Sequence, residues 1–125
     1  MAPAGYEVLL GGLPDIAVPI AILGAADDAL TPMASQVDPI YRDLVAQQRA
    51  LGTLDRSGHF IFSDACALLP STEFCGSDDD LTTDEAHPII STTVLAWLEQ
   101  ARGSPTAAAY LPPAADFLLW EEGAR

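Results

Sequence analysis

The stretch IAVPIAIL, residues 16 to 23, constrains this chain more than any other. It carries no charge and no polar alternation. An apolar run of strand length without alternation is buried on both faces, as a central strand of a parallel sheet is. It is far too short to cross a membrane. Pro19 lacks a ladder donor, so the hydrogen-bonded strand is expected from Ile20 onward. GAADDALTP then breaks the strand at Gly24 and places an acidic pair, Asp27 and Asp28, just past its C-terminal end.

The rest of the chain reads as helices and loops around a second strand. Residues 1 to 15 are rich in Gly and Pro and read as a loop. Ser35 with Asp38 resembles a capping box, and Val37, Ile40, Tyr41, Leu44, Val45 and Leu51 recur at helical spacing until Gly52. TLD, residues 53 to 55, follows as a short strand, and His59 sits in the loop directly after it. The order strand, acidic loop, helix, strand, histidine loop is a β-α-β unit. A short helix is expected over residues 60 to 69 and a loop over 70 to 82, whose GSDDD crowds its carboxylates without calcium-loop spacing. A long helix is expected over 84 to 102, with Ile90, Val94, Trp97 and Leu98 on one face and Gly103 at its end. His87 lies in its first turn and reads as a capping or surface residue. The tail ends in an apolar cluster, Phe117 to Trp120, that needs something to pack on. There is no internal repeat and no linker, so the 125 residues form one α/β domain.

Charge narrows the partners. The net charge is −13, and all five basic residues are arginines (Arg42, Arg49, Arg56, Arg102, Arg125). Phosphate backbones and anionic membranes both call for basic clusters, so nucleic-acid binding and electrostatic membrane docking are not expected. The acid excess keeps an apolar chain in solution, and a halophilic or secreted setting would fit it. The N-terminus lacks the positive region of a signal peptide. Cys66 and Cys75 would form a disulfide in an oxidising compartment and stay free in a reducing one, which leaves the localisation open. Metal-ligand spacing is missing, so no metal site is expected.

The chemistry gathers at the two loops. Reacting groups in parallel α/β sheets collect at the C-terminal ends of the strands, where both Asp28 and His59 are expected. Adjacent strands stand about 5 Å apart, so the two side chains could touch. A carboxylate accepting from imidazole Nδ1–H fixes the tautomer and leaves Nε2 free as a general base. A lone histidine beside an apolar run thereby acquires an orienting partner.

VPIAILGAADDALTP followed by LDRSGHFIFSD resembles the acid and histidine segments of α/β-hydrolase serine esterases. The resemblance is to bacterial dienelactone-hydrolase-like and platelet-activating-factor-acetylhydrolase-like proteins, with polyester hydrolases as cousins. Gly24, Asp28 and Pro32 match a G-x-x-x-D-x-x-x-P pattern whose Asp is the triad acid, so the resemblance favours Asp28 over Asp27. Gly58, His59 and Phe60 match the G-H-F of the triad base. FSDACALLP and HPIISTTVLAWLEQ are similar to the family's C-terminal segments. The resemblance implies the C-terminal part of an α/β-hydrolase fold, with a β-α-β unit of the parallel sheet and C-terminal helices. It also implies a carboxylic ester substrate and no cofactor.

One departure is large. The family's nucleophile lies in G-x-S-x-G, upstream of the acid. No serine of this chain has a glycine two residues before it, and no HGGG-like oxyanion segment is present. MAPAG resembles the end of the strand before the acid strand. The expectation is therefore a single partial α/β-hydrolase domain, residues 1 to 125, carrying the acid and the base but lacking the nucleophile half. Such a chain would be inactive alone, and would self-associate or bind a complementing N-terminal half. The alternative is a non-catalytic interaction module descended from such an enzyme. A redox role for Cys66 and Cys75 is poorly supported, since they lack C-x-x-C spacing.

Overall fold

A computed structural model describes residues 6, 11–68, 74, 75, 77, 79–110 and 117–124. Most of the expected N-terminal loop, with MAPAG, and residues 70–73, 76 and 78 of the expected 70–82 loop lie outside the described residues. The apolar run becomes a strand, β1 (Ile20–Ala25), which starts directly after Pro19. It pairs in parallel with β2 (Gln48–Leu54), with Ile20 opposite Arg49 and Ala25 opposite Leu54. A third strand, β3 (Leu118–Ala124), runs antiparallel along the other side of β2. The described sheet is therefore small and mixed, in the order β1-β2-β3.

The helix expected from Ser35 to Leu51 is much shorter. A π turn, Met33–Val37, leads into α1 (Asp38–Asp43), and neither start is capped by a side chain, so Ser35 does not act as a cap. Val37, Ile40 and Leu44 are buried as the stripe required, but Val45 is exposed and Leu51 belongs to β2. Helical spacing is satisfied by several apolar residues in any short window. Here Ala50, Leu51, Gly52 and Leu54 are all buried, a cluster that a strand between two neighbours covers and one helix face does not. Gly52 lies inside β2 instead of ending a helix. A Cβ there would stand 2.5 Å from Leu23 of β1 and 3.1 Å from the Trp120 ring of β3. The glycine lets those side chains close over the middle strand.

The expected 60–69 helix is two pieces, a 3₁₀ turn His59–Phe62 and a single turn α2 (Ala65–Leu68). A disulfide joins Cys66 of α2 to Cys75, with Cα atoms 5.5 Å apart. The long helix α3 (Thr83–Ala101) matches expectation, with a capping box between Thr82 and Glu85 that the sequence reading did not identify. Gly103, at φ 78°, supplies the left-handed residue that stops it. The tail's apolar cluster finds its surface by becoming β3, which puts the Trp120 ring 6.0 Å from that of Trp97 on α3.

Two cores flank the sheet. Ile20 and Ile22 pack with Leu13, Ile40 and Leu44 on one face. Leu23 and Ala25 pack with Leu54, Ile61, Leu81, Ala86 and Leu118 on the other. This alternation is the period of a strand. Yet among the described strands β1, apolar on both faces, lies at the sheet's edge and not at its centre. The β3 edge carries Glu121 and Glu122, the kind of charge that discourages further pairing, whereas β1 carries none. A groove of about 620 Å³ runs beside β1, and among the described residues no charged one lines it. The stripe expected on α3 faces this groove. Trp97 is buried, while Val94 and Leu98 remain 41% and 51% exposed.

An uncharged edge of the described sheet beside an apolar groove is the kind of surface that favours self-association. Sedimentation velocity is expected to show species larger than a monomer that grow with concentration, and an apolar dye should bind. Ala21→Lys, which places a charge on β1 within the groove, should reduce both. A wild-type chain that remains a dye-negative monomer would contradict this.

Candidate active site

The parallel pairing continues beyond the strands and joins the two loops. Ala26 N–H donates to Leu54 C=O at 2.8 Å, and Asp27 N–H donates to Ser57 C=O at 3.0 Å. The loop after β1 is thus held against the loop after β2, which brings Asp28 and His59 together. Asp27, one residue earlier, is exposed, whereas Asp28 is 5% exposed.

Both oxygens of Asp28 are fully engaged. Oδ1 accepts from the backbone N–H groups of Leu30 and Thr31, each at 2.8 Å. Oδ2 accepts from the Thr31 hydroxyl at 2.5 Å and lies 2.8 Å from His59 Nδ1. Burial pushes this carboxyl's pKa up. The hydrogen bonds from Thr31, His59 and Leu30 outweigh that, and the net direction is down. Asp28 is therefore a carboxylate at neutral pH and can only accept, so Nδ1 must carry the proton. Nε2 then has its lone pair available. It has no hydrogen-bond partner among the described residues and is not sealed from solvent. Thr31 Oγ1 also stands 3.4 Å from Nδ1.

The backbone that presents His59 is held at several points. Ser57 is fully buried, and its hydroxyl donates to Leu54 C=O at 2.8 Å. Arg56 takes a left-handed φ of 47°, a conformation uncommon outside glycine. Its C=O accepts from Leu81 N–H at 2.7 Å, and its guanidinium lies 4.2 Å from the Phe117 ring centroid. These contacts hold the turn that redirects the chain from β2 into the histidine loop.

Thr31, Arg56 and Ser57 were not identified from the sequence. For Thr31 a signal existed: in DALT, an Asp followed two and three residues later by free N–H groups is a side-chain-closed turn. His87 takes no part in the site. Its Nδ1 lies 3.8 Å from Asp64, and its Nε2 is buried without a partner among the described residues. Among the described residues, no cluster of His, Cys, Asp and Glu could hold a metal, and no helix is long and apolar enough to cross a membrane. No protein-family model matches the chain, and no curated protein matches it.

Because the folded-state pKa of Asp28 lies below its unfolded value, the stability it contributes is fully present above the ordinary aspartate range. It is lost as pH falls below the ordinary aspartate range and through the lowered value. Other carboxylates titrate nearby, so the expected result is a difference. Between pH 6 and 3, the urea midpoint of the wild type should fall more steeply than that of Asp28→Asn. Parallel curves would remove the linkage assigned to Asp28.

Proposed function

We propose that Asp28 and His59 are the acid and base of a serine ester hydrolase site whose nucleophile is supplied from outside these 125 residues. The observation that carries this reading is the 2.8 Å contact between Asp28 and His59 Nδ1, with Nε2 unpaired among the described residues, at the C-terminal edge of two parallel strands. In the complete site, Nε2 takes the proton of an attacking serine hydroxyl and later returns it to the leaving alcohol. Asp28 holds the imidazole in the required tautomer and stabilises the imidazolium. The substrate class is a carboxylic ester, and the chemistry requires no cofactor.

A second reading has its own support. The uncharged β1 edge beside an apolar groove suits an interaction module that binds an extended segment. The coding sequence upstream of Met1 separates the two. The hydrolase reading expects an open frame that leads into a G-x-S-x-G segment. The protein expressed from that frame should react with a fluorophosphonate probe at the serine, and His59→Ala should abolish the reaction. A stop codon in place of that frame, or a serine that labels equally well in His59→Ala, would defeat this reading in favour of the module.

A further inference from the structure

We propose that the Cys66–Cys75 disulfide is a positioning clip for His59, acting through Phe74 and Phe60, so that a thiol-reducing environment loosens the imidazole from Asp28. The inference rests on reading His59 as the working base. Its physical basis is a continuous line of contacts. Cys75 is bonded to Cys66, just after the turn that carries His59. The neighbouring residue, Phe74, accepts a hydrogen bond from Phe60 N–H at 3.4 Å through its carbonyl. The Phe74 ring meets the Phe60 ring edge-on at 6.0 Å, and Phe60 meets the His59 ring at 5.2 Å.

Phe74 belongs to no helix or strand. Its one backbone hydrogen bond to the histidine turn is long, and an edge-on aromatic pair adds only modest attraction. The covalent bond at the next residue is what confines Phe74 to the place where those weak contacts form. Closing this short loop removes freedom that the open chain would have. Among the described residues, His59 has Asp28 and Thr31 as polar partners, so the aromatic contacts bear on the orientation of its ring. Reduction by a dithiol transfers two electrons and two protons to the bond, giving two thiols, while the dithiol closes to its own cyclic disulfide. Phe74 then loses that covalent restraint, and its described contacts with Phe60 are the weak ones.

The test follows the Nδ1 proton of His59 by low-field proton NMR in the intact 125-residue chain, before and after dithiothreitol, and in Cys66→Ser/Cys75→Ser. Circular dichroism checks that each form is folded. Mass spectrometry follows carbethoxylation of His59 by diethyl pyrocarbonate in the same samples. Opening the clip should speed solvent exchange of the proton and carbethoxylation of the ring by about tenfold. Phe74→Ala with the disulfide intact should reproduce both effects, and it decides the matter if the reduced chain unfolds. A folded reduced chain with unchanged exchange and unchanged reactivity would overturn the proposal. So would a Phe74→Ala chain with wild-type values. Neither readout needs an ester, so failure of the hydrolase reading would leave a distinct result.

Discussion

Asp28→Ala is expected to lower the unfolding free energy by about 3 kcal/mol, the scale of breaking a buried, hydrogen-bonded charge pair. The substitution removes the acceptor for Leu30 N–H, Thr31 N–H, the Thr31 hydroxyl and His59 Nδ1–H together. All four donors then compete for water in a place where Asp28 was 5% exposed. Domains are commonly stable by only about 5–15 kcal/mol, and a three-stranded sheet with an open edge belongs at the low end. A large part of the total would be lost. Asp28→Asn keeps the volume and one acceptor oxygen, so it should cost less. Asp27→Ala, one residue away and exposed, should stay within about 0.5 kcal/mol of wild type. Urea unfolding of the three variants measures this directly. An Asp27→Ala loss equal to that of Asp28→Ala would refute the account of the loop.

The second large effect concerns chemistry. Under the proposed hydrolase reading, in a longer protein that supplies the nucleophile, His59→Ala should reduce kcat/KM for p-nitrophenyl acetate by on the order of 10⁴-fold or more. Asp28→Asn should lose about 10⁴-fold, since an amide can present its N–H to Nδ1 and trap the wrong tautomer. The two losses should not add, because both residues serve one proton transfer. The 125-residue chain alone should hydrolyse the ester no faster than an unrelated acidic protein. General-base help from an imidazole is worth roughly 10² to 10⁴-fold, and the covalent step and oxyanion stabilisation are missing. Turnover by the isolated chain that disappears in His59→Ala would overturn the view that it holds half a site.

Much of the site was legible because it depends on local order. A strand that ends at an acidic loop, then a return strand that ends at a histidine, places both groups on one edge once the strands are parallel. The preference for Asp28 over Asp27 came from the spacing of Gly24 and Pro32 in a resembling family. Burial and four hydrogen bonds now separate the two carboxylates physically. Thr31 was missed because its hydroxyl matters only once the DALT turn has closed around Asp28. Arg56 was missed because a left-handed arginine leaves no mark in sequence.

Local chemistry sets the start of β1 at Ile20, through the missing donor of Pro19. It also sets α3 and its stop at Gly103, and the placement of Asp28 and His59 after successive strands. These follow from short-range rules that act within one turn or one loop. The folded chain, and no local rule, places residues 48 to 51 in β2 instead of α1, makes the tail β3, and puts β1 at the edge of the described sheet. Each of these turns on which backbone groups find partners across the sheet. A partner tens of residues away satisfies a strand's donors and acceptors as well as a neighbour would, and no local pattern records which one it will be.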